Sequence, residues 1–282
     1  MDARVESELG RPWRSVARKG WEKVGDVLIL QFLPGTPLRL RRAAARIAAE
    51  ELTCRCAVED LQGVRGELRS PRIRILYGSG TRTVHTENGL RFALDVASIM
   101  LASGNVAERT RAAALDCGGE TVVDLFAGIG YFTIPLAAKA GAARVFACEK
   151  NPAAFAFLEE NLRLNRVEPR VTALFGDCRR MAPKGVADRV FLGYLHGTEK
   201  FLPTAVAALK AEGGTLHYHE AYPEETKFRD AYAALARAAG PSFDLRILDA
   251  REVKSFAPGI DHVAVTARLS PRGEPRAAAA KR

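Results

Sequence analysis

Three acidic residues and two glycines carry the chemistry most plainly written in this sequence. Asp124 closes the apolar run TVVD, Gly128 and Gly130 follow at once, Glu149 closes a second apolar run, and Asp177 follows a third. Glycines let a backbone turn left-handed and approach a ligand closely. A helix opening directly after them offers unpaired N–H groups to a carboxylate or phosphate. A carboxylate ending the second strand can accept both hydroxyls of a ribose, and a polar side chain after the third can receive the exocyclic amine of adenine. Together they specify an adenosine. A lone Gly-x-Gly is weak evidence; the two acids that follow give it weight. The third glycine of the dinucleotide fingerprint is replaced by Thr133, which argues against an oxidoreductase.

These residues must stand at the carboxyl ends of strands in an open parallel sheet, where ligands bind. From about residue 116 the pattern alternates: strands at 121–126, 143–149, 170–175, 187–193 and 214–220, with helices at 131–140, 152–165, near 178–182, 198–211 and 223–240. Short apolar strands joined by helices predict a parallel sheet covered on both faces. Two closing β runs, 243–253 and 260–269, meet at Phe256-Ala257-Pro258-Gly259 and predict an antiparallel hairpin at the sheet edge, giving seven strands. An acid before the glycine loop, together with such a hairpin, points to the α/β, Rossmann-like class I fold of S-adenosylmethionine enzymes. Asp124 can serve this fold through loop geometry without touching the ligand.

The region 1–95 predicts a smaller α+β domain, with short strands around one helix at 38–51 and an Asn88-Gly89 hairpin signal. Region 96–115, with Val96, Ile99, Met100, Val106 and Leu115 at helical spacing, predicts a helical connector broken at Ser103-Gly104-Asn105. The tail 271–282 is rich in Pro, Ala and Arg and is expected to be disordered.

The chain has 282 residues and 42 Lys+Arg against 33 Asp+Glu, a net charge of +9 that is compatible with a polyanionic partner. Arg39, Arg41, Arg42, Arg46, Arg65, Arg69, Arg72 and Arg74 could line a phosphate-facing surface or simply a solvated one. The longest uncharged run, 125–138, is short of the ~18 residues of a membrane span. No secretory or transit pattern opens the chain, so a cytoplasmic location is expected. Five scattered cysteines make no disulfide framework, and Cys54-x-Cys56 lacks a second ligand pair for zinc. His217 and His219 share one face of a strand and are expected to pack in the sheet; no metal is expected.

DLFAGIGYFTIPLA (124–137), CEKNPAAFAFLEENLRLN (148–165) and FGDCRRM (175–181) resemble the cofactor half of the enzymes that modify the purine 3′ of the tRNA anticodon. These are the tRNA guanine-N1 methyltransferases and the related wybutosine-synthesising aminocarboxypropyltransferases. SGNVAER (103–109) is similar to the segment that precedes their cofactor loop. Residues 187–220 and FAPGIDHVAV (256–265) are similar to the archaeal tRNA wybutosine-synthesising protein 2 family, the tRNA-Phe 4-demethylwyosine aminocarboxypropyltransferases. Amino-group methyltransferases place Asn/Asp-Pro-Pro-aromatic after the fourth strand, and the N1-methyltransferases an Asn-Leu-Pro version. This chain has Leu192-Gly193-Tyr194-Leu195-His196-Gly197 there, and Ser103-Gly104-Asn105 where the methyltransferases tend to carry Ser-Pro-Arg.

The resemblance implies that S-adenosylmethionine is used as co-substrate through its three-carbon amino acid arm, with methylthioadenosine leaving and 4-demethylwyosine in tRNA-Phe accepting. It implies cofactor contacts from Ala102, Ser103, Asn105, Arg109, Asp124, Gly128, Gly130, Glu149, Asp177 and Cys178. Arg109 is the candidate for the arm's carboxylate, with a salt bridge to Glu108 as its alternative. His196 is the candidate base for the proton leaving the acceptor, and Tyr131 a candidate for stacking on a base. The chain is expected to act as a monomer. A tRNA or rRNA methyltransferase with a variant acceptor loop and a non-catalytic RNA-binding module are the rival readings.

Overall fold

The computed structural model describes residues 2–273 except positions 19, 66–69, 102 and 196. The chain divides into two compact units, Met1–Val106 and Ala107–Arg282, so the division falls inside the stretch expected as a connector.

In the first unit, strands β1 (Glu22–Val24), β2 (Val27–Leu30), β3 (Cys56–Arg65) and β4 (Ser70–Gly78) form a sheet in that order, with β2 and β3 parallel. Helix α2 (Leu38–Glu51) is their crossover. Its alanine-rich face, Ala44, Ala45 and Ala48 with Ile47, packs on Leu28, Leu30, Ala57 and Leu76. A second helix, α1 (Asp2–Leu9), was not expected, because its sequence is mostly polar and Val5 alone is fully buried from it. Strands β5 (Arg82–Glu87) and β6 (Leu90–Asp95) pair as a hairpin whose two loop residues, Asn88 and Gly89, both have positive φ. That is the turn that Asn-Gly favours. Residues 96–100, expected to be helical, form only a turn after β6, and Ser103–Asn105 make a 3₁₀ turn leading into α3 (Val106–Ala113).

The second unit is a doubly wound sheet. Strands β7 (Thr121–Asp124), β8 (Arg144–Glu149), β9 (Val171–Phe175), β10 (Arg189–Leu192), β11 (Gly214–Pro223), β12 (Phe243–Ala257) and β13 (Ile260–Pro271) lie in the order β12-β13-β11-β10-β7-β8-β9. The five strands from β7 to β11 are parallel, while β13 runs antiparallel to both β11 and β12. The closing hairpin is therefore at the edge, and the chain order reverses between β7 and β10, where such sheets bind ligands. Helices α4 (Thr133–Ala138), α5 (Pro152–Leu164), α6 (Cys178–Met181), α7 (Leu202–Ala208) and α8 (Lys227–Ala239) connect the strands. One core surrounds Val123, Val190, Leu192, Leu216, Tyr218, Val263 and Val265, with Ala205, Ala208, Ala231 and Leu235 from α7 and α8.

Several expected boundaries shift for local reasons. The helix expected from 131 starts at Thr133, because the glycine turn takes up Gly130 and Tyr131, whose amides both bond Ala127 O. The one expected from 198 opens as a 3₁₀ turn, Thr198–Phe201. The one expected from 223 begins at Lys227, because β11 stays paired with β13 through Pro223. Order also runs further into the tail than expected: Pro271 pairs with Phe243, and Arg272 N–H donates to Ser242 O. The remainder, 274–282, lies outside the described residues.

Candidate cofactor site at the strand ends

The loop after β7 is shaped by both glycines. Gly128 has φ +57° and Gly130 φ +102°. A Cβ at Gly128 would stand 2.9 Å from the Tyr131 ring, and one at Gly130 would stand 2.6 Å from Ile134 Cδ1. Either substitution would be strained in dihedral and crowded in space.

Asp124 is fully buried beneath this loop. Its Oδ2 accepts from the Thr133 hydroxyl at 2.8 Å and its Oδ1 from the Phe126 amide at 3.2 Å. Burial pushes its carboxyl up to about 6. The residue that replaces the third fingerprint glycine is thus a hydrogen-bond donor to the loop's buried acid, a role that the sequence reading missed. Asp124 faces the protein's own groups and fixes the loop.

Glu149, at the end of β8, accepts the Gly128 amide at Oε2 (2.8 Å) and the Asn151 amide at Oε1 (2.6 Å). Burial raises its pKa, and those amides pull it back. The Lys150 amide also bonds it; a carboxylate has roughly four acceptor positions, so it keeps acceptor capacity for a hydroxyl. Asn151 in turn caps α5 by accepting from Ala153 N, with Pro152 at the first helical position, an arrangement the sequence signals openly.

Asp177 caps α6, accepting the Arg179 amide at 2.9 Å, and the Arg179 side chain lies along both its oxygens. That hydrogen bonding holds its carboxyl down to about 2. Cys178 is buried beside it, and desolvation pushes its thiol up to about 12. Glu149 and Asp177 stand at the ends of adjacent strands, with the Gly128 turn bonded to the first, a cradle that fits a ribose and an adenine.

Arg109 is 3% exposed, and its guanidinium lies 5.5 Å from the centroid of the Tyr131 ring. Glu108, also buried, receives Arg251 of β12 at 2.9 and 2.6 Å, with Arg111 at 3.5 Å. Asn105 Oδ1, in the first unit, is shielded from solvent and accepts no hydrogen bond among the described residues. Ala102, the Ser103 side chain and His196 lie outside the described residues.

Two further features escaped the sequence reading. Glu220 is buried at the ligand end of β11 and accepts the amides of Gly197, Glu199 and Ala221, pinning the loop after β10. Its only signal is an acid at the end of an otherwise apolar and aromatic strand. In that loop Tyr194 stacks on Phe126 at 5.0 Å, with Phe201 edge-on to Phe126 at 4.9 Å. An aromatic wall thus lies between the cofactor loop and the loop expected to meet the acceptor. His217 and His219 pack in the sheet. His217 stacks on Phe191 and accepts from Arg189, while His219 Nδ1 meets His262 Nε2 at 3.0 Å. No described helix is long and apolar enough to cross a membrane.

Comparison with known proteins matches both units. Residues 83–248 match the TRM5/TYW2 methyltransferase domain, and residues 4–81 match the TYW2 N-terminal domain. The chain is 39% identical over 266 residues to the tRNA(Phe) (4-demethylwyosine(37)-C(7)) aminocarboxypropyltransferase of Pyrococcus horikoshii, covering 94% of each chain. The crystal structure of P. horikoshii TYW2 in complex with MeSAdo superposes with a TM-score of 0.83 at 35% identity, covering 96% of this chain and 99% of that one. The structure of M. jannaschii TYW2 in complex with AdoMet gives 0.73 at 36% identity, covering 89% and 100%. The fold is the Rossmann-like one of S-adenosylmethionine-dependent enzymes. With both domains matched in order, and the likeness running nearly end to end, the chain belongs to the TYW2 family of tRNA aminocarboxypropyltransferases.

Proposed function

We propose that this chain transfers the 3-amino-3-carboxypropyl group of S-adenosylmethionine to 4-demethylwyosine beside the anticodon of tRNA-Phe, releasing 5′-methylthioadenosine. The observation that carries the reading is the near full-length identity with an archaeal aminocarboxypropyltransferase. The loop after β10 agrees with it, since 192–197 has neither the Asn nor the Pro with which methyltransferases grip an amine.

S-adenosylmethionine supplies a sulfonium whose neighbouring carbons are open to in-line displacement. Which carbon reacts depends on which one the pocket presents, and orientation of that kind is worth several kcal/mol. In this reading Glu149 holds the ribose, and Asp177 with Cys178 borders the adenine. Gly128 and Gly130 admit the backbone, and Arg109 neutralises the arm's carboxylate. Asp124 acts through the loop. Tyr131 stands beside Arg109, and the Phe126–Tyr194 stack offers a face to the acceptor base. His196 remains the candidate to take the proton.

The tRNA footprint includes exposed arginines of the first unit. Arg39 and Arg42 on α2 and Arg72 and Arg74 on β4 face solvent. Arg41, Arg46 and Arg74 form ion pairs, Arg41 and Arg74 with Glu59 and Arg46 with Glu8 and Glu50. We take the chain to act as a monomer, and a tRNA substrate fits a cytoplasmic enzyme. The testing experiment is product release: incubation with S-adenosylmethionine and tRNA-Phe bearing 4-demethylwyosine should yield methylthioadenosine in step with tRNA modified. S-adenosylhomocysteine in its place would favour the methyltransferase alternative, and neither product the non-catalytic one.

A further inference from the structure

The closing hairpin is tied to the first turn of α3, which carries Arg109. Arg251 sits on β12, 143 residues from Glu108, and grips that buried carboxylate with two parallel N–H···O bonds. Glu108 is 4% exposed, so the pair is held where neither charge is well solvated and geometry is tightly specified. The strand is built to aim this side chain. The β12–β13 register shifts between Ile247 and Asp249 and again between Glu252 and Lys254, placing Arg251 on the short regular stretch between two irregularities. Bulges of this kind redirect side chains and gather near active sites. Asp249 also bonds the Arg251 guanidinium, so it is held from its own strand and from α3.

Arg109 follows Glu108 in the first turn of α3, buried and set over Tyr131, which itself follows the glycine loop. Fixing Glu108 fixes the backbone from which Arg109 projects. We propose that Arg251 is a positioning residue for the amino acid arm of S-adenosylmethionine: through Glu108 it sets the placement of Arg109 against the arm's carboxylate. This rests on the reading of Arg109 given above. A guanidinium is required, because the two oxygens of Glu108 are met by a planar fork that lysine cannot reproduce.

The test compares two ligands that differ by the arm. S-adenosylmethionine carries it and 5′-methylthioadenosine lacks it. Calorimetric affinities of the full chain should show Arg251→Met weakening S-adenosylmethionine by roughly tenfold or more. Methylthioadenosine should stay within about twofold, as expected when ribose and adenine contacts are untouched. Arg251→Lys should lie between. In an Arg109→Met background, Arg251→Met should cause no further loss of S-adenosylmethionine, since coupled residues are not additive. Parallel loss of both ligands, unchanged affinity for both, or full additivity with Arg109→Met overturns the proposal. Should Arg251→Met fail to fold, Arg251→Lys bears the same criteria. Arg109→Met alone separates the two failures. If it weakens both ligands alike, the carboxylate reading falls and this one with it. If it is selective for S-adenosylmethionine while Arg251 variants are not, only the role of Arg251 falls.

Discussion

The amide of Gly128 donates to Glu149 Oε2 at 2.8 Å, joining the glycine turn after the first parallel strand to the acid that ends the second. One bond thereby sets both the height of the turn and the direction of the carboxylate. Removing the acid leaves the amide without its partner and the ribose without its acceptor. Hydrogen bonds to charged groups contribute about 1.5–3 kcal/mol each. Glu149→Ala should therefore weaken S-adenosylmethionine on the order of 100-fold, and Glu149→Gln less. Calorimetry checks this, and unchanged affinity in Glu149→Ala would remove Glu149 from the site.

Thr133 is the counterpart of that bond on the buried side of the loop. Thr133→Val preserves shape while leaving Asp124 Oδ2 without its 2.8 Å donor. An unsatisfied buried acceptor costs about 1–3 kcal/mol, and urea denaturation should show a loss of that size. The Asp124 carboxyl should move further above about 6, readable as a changed pH dependence of stability between pH 5 and 7. An unaltered urea midpoint would contradict the assignment.

Stability should fall steeply on acidification. Burial holds His219 and His262 down to about 3, and His217 well below its ordinary value. Between the ordinary histidine range and about 3 the unfolded chain binds protons that the folded chain refuses, so stability declines as pH falls through that window. Asp124 works the other way: its folded carboxyl binds a proton below about 6, before the unfolded one does, and adds stability as pH falls. Three histidines against two raised acids, Asp124 and Glu149, leave the unfolded state the net proton binder near pH 5, so stability falls with pH there. Urea midpoints at pH 6, 5 and 4 test this, and His262→Gln should flatten the curve. A midpoint that rises towards pH 4 would contradict it.

Exposed arginines of the first unit should set the salt dependence of tRNA binding. Each phosphate contact removed lowers the slope of log K against log salt by about 1. Arg39→Ala with Arg42→Ala should reduce the slope by about 2, whereas Arg46→Ala, already engaged by Glu8 and Glu50, should change it little. An unchanged slope in the double variant would move the footprint elsewhere.

Local signals carried the sequence reading where the chemistry is local. Asn88-Gly89, Asn151-Pro152 and the Gly128/Gly130 turn declare themselves because backbone conformation or capping demands those residue types. Glu149 and Asp177 were legible because strand ends follow from the apolar runs before them. What stayed hidden depends on partners distant in the chain. That His217 and His219 share a face follows from strand periodicity, but that they meet Arg189 and His262 follows only from sheet order. Glu220 reads as an ordinary strand-end acid until the fold brings the Gly197 amide to it, and Arg251 as an edge-strand charge until Glu108 arrives from 143 residues away. Thr133 misled in the other direction: judged as a missing glycine, it is a donor to Asp124.

The direct measurement of the central claim is the fate of label from S-adenosylmethionine. With the full chain and tRNA-Phe carrying 4-demethylwyosine, carboxyl-labelled S-adenosylmethionine should make the tRNA radioactive and methyl-labelled S-adenosylmethionine should not. Label arriving from the methyl group and not from the carboxyl group would contradict the account and make the chain a methyltransferase.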